Sequence, residues 1–77
     1  MIFEQDFKIN YDPAMFYCRI EECIKASGKT FNAVERELGY PRNSLHNYRG
    51  GKIPSWVRVL EISRYFGVDL EWLVGLE

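Results

Sequence analysis

Glycine ends each apolar run along this chain. Gly28, Gly39, the pair Gly50-Gly51 and Gly67 cut residues 13–77 into segments of ten to fifteen residues. Within each segment the apolar residues recur every three or four positions. Phe16, Ile20, Cys23 and Ile24 share one face of the first segment, Ala33, Val34 and Leu38 one face of the second, and Leu45 and Tyr48 one face of the third. Trp56, Val59, Leu60, Ile62, Ser63 and Phe66 give the fourth a wide face that is expected to be core, Trp56 included. The fifth carries Leu70, Trp72, Leu73 and Leu76. This is helical spacing, and a glycine just past the last periodic residue is a helix stop. Start signals agree with the stops. Asp12-Pro13 reads as an N-cap followed by a proline in the first helical position, and Thr30, Ser55 and Asp69 read as further caps. The prediction is an all-α chain of five short helices: Pro13 to about Ala26, Thr30 to Gly39, Pro41 to about Arg49, Ser55 to Gly67, and a short closing helix from Asp69. Connections of two to six residues make it compact.

The 77 residues suffice for one domain, assigned to 13–77, behind an N-terminal extension at 1–12. In that extension Phe7, Ile9 and Tyr11 alternate with Lys8 and Asn10, as in a short strand. A domain of this size buries about 60–65% of its unfolded-chain surface. An apolar fraction of 47%, with 16% aromatic, is enough to build that core. No apolar run approaches the roughly 20 residues of a membrane span, and MIFEQDF lacks the apolar stretch of a secretion signal. Cytoplasmic location is expected. Cys18 and Cys23 stand about 140° apart around a helix, unsuited to a shared metal or a disulfide. Cys23 is expected in the core and Cys18 near the surface.

Charge points to a partner. From Gly39 to Leu60 there is no acid, and Arg42, Arg49, Lys52 and Arg58 make the segment +4, with the only histidine, His46, inside it. Residues 1–38 are −2 and residues 61–77 are −3, so a chain of net −1 concentrates its positive charge in one stretch. A ligand with regularly spaced negative charge, such as DNA, would meet this stretch first. The second and third helices meet at Gly39, whose freedom to adopt a left-handed backbone permits a sharp turn. With Val34, Leu38, Leu45 and Tyr48 inward, Arg42, Asn43, Ser44, His46 and Asn47 are left facing out. Arginine bonds guanine bidentately and asparagine does the same with adenine.

The phrases VERELGYPRNSLHNYRGGKIPS and LEISRYFGVDLEWLVG, in that order and spacing, resemble the Cro/CI-type (lambda-repressor-like) helix-turn-helix family of small phage-type transcriptional regulators. The resemblance covers about 60 residues, from Phe16 to Gly75. It implies a five-helix lambda-repressor-like domain that reads double-stranded operator DNA as a homodimer, with the third helix, about 41–49, in the major groove. Carried over by position, Arg42, Asn43 and Asn47 read bases. Thr30, Ser44, His46, Arg49, Lys52, Ser55 and Arg58 hold the DNA backbone or flank the bases. The chain departs from the family pattern at three places. Phe31 replaces a polar residue, Pro41 replaces a Ser/Thr cap, and Glu35 replaces a small alanine, a change accommodated if its side chain escapes to the edge; Glu35 and Glu37 read as solvated.

A second reading is a phage modulator or antirepressor that grips another repressor's helix-turn-helix domain. It draws on the acidic tail, where Leu70, Trp72, Val74 and Leu76 form either a protein interface or plain core packing. Nothing in the sequence resembles a nucleophile–base pair, a catalytic carboxylate pair or a metal-ligand cluster. No enzyme activity, cofactor, metal or membrane partner is expected.

Overall fold

A computed structural model of the chain describes residues 12–76. Residues 1–11 and Glu77, and with them the strand-like reading of Phe7 to Tyr11, lie outside the described residues. The described chain is all-α and contains no strand. Helix α1 spans Pro13–Ser27, α2 Phe31–Leu38, α3 Trp56–Phe66 and α4 Leu70–Leu73, with one 3-10 helix at His46–Gly50 between α2 and α3. Among these residues no helix is long and apolar enough to cross a membrane.

Three of the four predicted caps form as the sequence indicates. The Ala14 N–H donates to Asp12 Oδ1 at 3.0 Å ahead of Pro13, the Ala33 N–H to Thr30 Oγ1 at 3.1 Å, and the Arg58 N–H to Ser55 Oγ at 3.2 Å. Each satisfies one of the donors that the first helical turn leaves unpaired. The fourth, Asp69, makes no side-chain bond, and α4 is a single turn. At the end of α2, Gly39 adopts φ 75°, and the Tyr40 N–H returns to the Glu35 carbonyl at 2.8 Å.

The core forms where the apolar faces meet. Phe16, Ile20 and Ile24 of α1, Val34 of α2, Leu45 and Tyr48 of the turn and 3-10 helix, Val59 and Ile62 of α3, and Leu73 of α4 make one buried cluster. α1 packs against the 3-10 helix and α4, and α3 against α4. Phe16 meets Tyr48 edge to face with ring centroids 5.1 Å apart, a favoured aromatic geometry. At the far end Gly75 lies against α1 so closely that a Cβ there would stand 2.5 Å from Met15 Cγ.

Two expectations are corrected here. The predicted third α-helix, Pro41 to Arg49, is a turn over residues 42–45 followed by the 3-10 helix. Asn43 stands at φ 67°, which interrupts any continuous α ladder, and Pro41 offers no capping side chain. The described residues therefore hold four α-helices rather than the predicted five. Trp56, expected in the core, is 75% exposed. It is the first residue of α3, and Val59, one turn later, is the first residue of that helix to be buried.

Candidate nucleic-acid interface

A connection of uncapped residues needs some acceptor for its first amides. Glu35 supplies it. Its carboxylate accepts the Asn43 N–H on Oε1 and the Leu45 N–H on Oε2, both at 2.9 Å. The residue is 1% exposed, so the expected escape to the edge does not occur and the reading of Glu35 as solvated is corrected. With a proline at 41, the turn takes its cap from the neighbouring helix rather than from its own sequence. Asparagine is among the residues that tolerate the left-handed conformation that Asn43 adopts. The Asn47 N–H donates to the Asn43 carbonyl at 3.0 Å, so one α-type turn joins the two asparagines. Leu45 at 0% and Tyr48 at 3% exposure anchor the segment from below.

Arg42, Asn43 and Asn47, the three residues assigned to base reading, are all exposed on this anchored segment. The flanking residues divide into free and committed. Arg49, Lys52 and Ser55 are exposed. His46 is exposed too, yet its ring packs on Phe31 with centroids 4.1 Å apart, and Phe31 stacks in turn on Tyr17 at 5.8 Å. Phe31 thus gives the start of α2 an aromatic wall. Thr30, Phe31 and His46 border a cleft of about 350 Å³ together with Lys25 and Lys29. Ser44 is half-buried, and its Oγ has no hydrogen-bond partner among the described residues. Arg58 is half-buried and turned inward: its guanidinium lies over the Tyr40 ring at 4.0 Å and donates to the Tyr48 hydroxyl at 3.4 Å.

Tyr40 closes this inner network by donating its hydroxyl to Glu61 Oε1 at 2.6 Å. Burial, reinforced by that hydrogen bond to a carboxylate, pushes its phenol well above the usual range. Tyr40 therefore stays a neutral donor and ties the turn after α2 to the middle of α3.

Three residues that the sequence reading did not single out join Arg42 here. Asn32, Arg36 and Tyr40 line one cleft with Arg42, of about 350 Å³, and Glu35 contributes to its lining. Asn32 and Arg36 are four apart on α2, a spacing that puts them on one face. That this face looks toward Arg42 depends on the course of the turn.

The tail residues separate. Leu73 is fully buried, Trp72 and Val74 are half-buried, and Leu70 and Leu76 are 44% and 39% exposed. The Trp72 ring is covered by the Arg19 guanidinium at 4.5 Å. A larger apolar surface lies elsewhere, at the start of α3, where Ile53 is 71% and Val57 44% exposed beside Trp56. Of the two thiols, Cys18 is exposed and Cys23 buried, and burial raises the Cys23 thiol above its ordinary value. No protein-family model, curated protein or solved structure matches the chain.

Proposed function

We propose that this protein is a sequence-specific DNA-binding transcriptional regulator with a lambda-repressor-like arrangement, in which residues 42–50 enter the major groove. The observation that carries this reading is the exposed set Arg42, Asn43 and Asn47, held on a turn that is fixed from beneath by Glu35, Leu45 and Tyr48. A rigid mount matters because base readout depends on side chains that arrive already oriented. The absence of acid from Gly39 to Leu60 leaves this stretch at +4, which favours its approach to phosphate. Arg49, Lys52 and Ser55 then flank the groove and hold the DNA backbone, with Thr30 at the start of α2. Acting in the cytoplasm as a homodimer, the protein would read half-sites separated by about 34 Å, one turn of duplex.

Selection of a bound sequence from a random duplex library, followed by titration of the winner, tests the proposal. Arg42→Ala and Asn47→Ala should each cost about 1–3 kcal/mol of binding and relax preference at one base pair. Failure to enrich any sequence, or an affinity indifferent to both substitutions, refutes it.

One observation favours a second reading, a modulator that grips another repressor's helix-turn-helix domain. Ile53, Trp56 and Val57 expose apolar surface at the start of α3, and a desolvated aromatic is the usual anchor of a protein interface. Under this reading a heterocomplex with such a repressor forms in size-exclusion chromatography and is lost on Trp56→Ala.

A further inference from the structure

The cleft between α2 and the following turn has two arginines in its wall and no spare anion. Arg36 and Arg42 both line it, with Asn32 and Tyr40. Each carboxylate nearby is already engaged. Glu35 spends both oxygens on the Asn43 and Leu45 amides. Glu37 accepts from Lys29 Nζ at 2.8 Å and from the Tyr65 hydroxyl at 2.6 Å, with Arg36 adding only a weaker field effect. Glu61 is taken by Tyr40. Arg19 has Glu22 at 3.8 Å, Lys29 has Glu37, and Arg58 is stacked on Tyr40, whereas Lys25, Arg49, Lys52 and Arg64 make no ion pair among the described residues. Neither Arg36 nor Arg42 has an ion-pair partner among the described residues. Counting Glu35 at the floor, the cleft carries two positive charges against one negative. Its donors are two guanidinium groups and an amide, a set that matches the several acceptor oxygens of a phosphate.

We infer that this cleft is an oxyanion site for one phosphodiester of duplex DNA, with Arg36 as its principal ligand and Arg42 shared between that phosphate and a base edge. The inference rests on the DNA-binding reading and adds to it a backbone contact on the outer face of α2. It also gives Glu35 a second consequence. By occupying the turn's amides, the carboxylate leaves anion binding to side chains, so the site depends on Arg36 rather than on backbone N–H groups.

The test compares Arg36→Ala with Arg64→Ala, which removes an exposed cation from the outer side of α3. Affinities for the selected operator and for a random-sequence duplex are measured between 50 and about 300 mM salt, a range over which counterion release is resolved. Arg36→Ala should weaken both duplexes by a similar factor, about five- to tenfold at low salt, and reduce the log–log salt slope by about 0.9 per cleft, the value of one released counterion. Arg36→Lys should keep most of the slope because it keeps the charge. If Arg36→Ala behaves like Arg64→Ala while the operator still binds, the cleft assignment is wrong and the DNA reading survives. An effect confined to the operator makes Arg36 a base reader and overturns the phosphate assignment. Absence of binding to any duplex removes both.

Discussion

Glu35 decides more than any other single residue in this protein. A carboxylate at 1% exposure must be fully hydrogen-bonded to be tolerated, and both its oxygens are. What it bonds is the backbone of the one segment whose own sequence provides no cap. Glu35→Ala would leave the Asn43 and Leu45 amides without an acceptor and should lower stability by about 2–4 kcal/mol, read as a shift in urea midpoint. Hydrogen exchange should lose protection at those two amides before any other. Glu35→Gln keeps one acceptor oxygen and turns an NH2 group toward the second amide, so it should fall between wild type and alanine. An alanine variant of full stability with both amides still protected would show that the turn holds itself. The need for such an acceptor was legible in the sequence, since Pro41 leaves the start of the third segment uncapped. Its identity was not, because it sits one helix earlier and reaches the turn only once the chain has folded back.

At the scale of elements, the helix limits follow from local chemistry and the third segment does not. Asp12, Thr30 and Ser55 cap because an oxygen two or three residues upstream of a free amide finds it without help from the rest of the fold. Gly39 ends α2 for an equally local reason, its φ of 75°. A Cβ there would meet no atom within 4 Å, so Gly39→Ala tests conformation alone. It should cost about 1–2 kcal/mol through left-handed strain, measured by chemical denaturation. No loss would mean that the turn can re-form without a positive φ. Between residues 41 and 50 the pattern of Leu45 and Tyr48 fits an α-helix and a 3-10 turn equally well, since a spacing of three serves both. Burial of both residues and the pull of Glu35 on the amides of 43 and 45 select the tighter, interrupted form.

At the scale of the whole molecule, α2 and α3 are clasped at the surface. Lys29 Nζ donates to Glu37 at 2.8 Å and to the Tyr65 hydroxyl at 2.9 Å, and Tyr65 donates to Glu37 in turn. The hydrogen bonds from Lys29 and then from Tyr65 hold the Glu37 carboxyl below its ordinary 4.5. The hydrogen bonds that Lys29 donates to Glu37 and then to Tyr65 hold its ammonium above 10.5. The signs set the pH window. A depressed carboxylate contributes fully above its unfolded value and loses that contribution as pH falls through the lower folded value. A raised lysine contributes fully below its unfolded value and loses its share as pH rises through the higher folded one. Glu37→Gln should therefore flatten the decline in stability below pH 4.5 and leave the amide-cap region unchanged. Because the group is exposed the effect should be small and should shrink with salt. An acid limb identical to wild type at low salt would remove the clasp from the stability of the protein.

The sequence by itself determined the helical class, three of the caps, the stops and nearly all of the core, because each of these depends on residues within a turn or two of one another. It also located the acid-free stretch from Gly39 to Leu60, which is a matter of counting. Tertiary structure decided the rest. Trp56 bears an apolar side chain on a helix with a buried face, yet lies a turn ahead of where packing begins. Arg58 belongs to the basic stretch by sequence, but Tyr40 and Tyr48 draw it inward. Arg36 falls outside that stretch and still shares a cleft with Arg42. Periodicity says which side of a helix is wet. Only the path of the chain between α2 and α3 says what stands opposite, because cation–π contacts, buried caps and shared clefts join residues that the sequence holds apart.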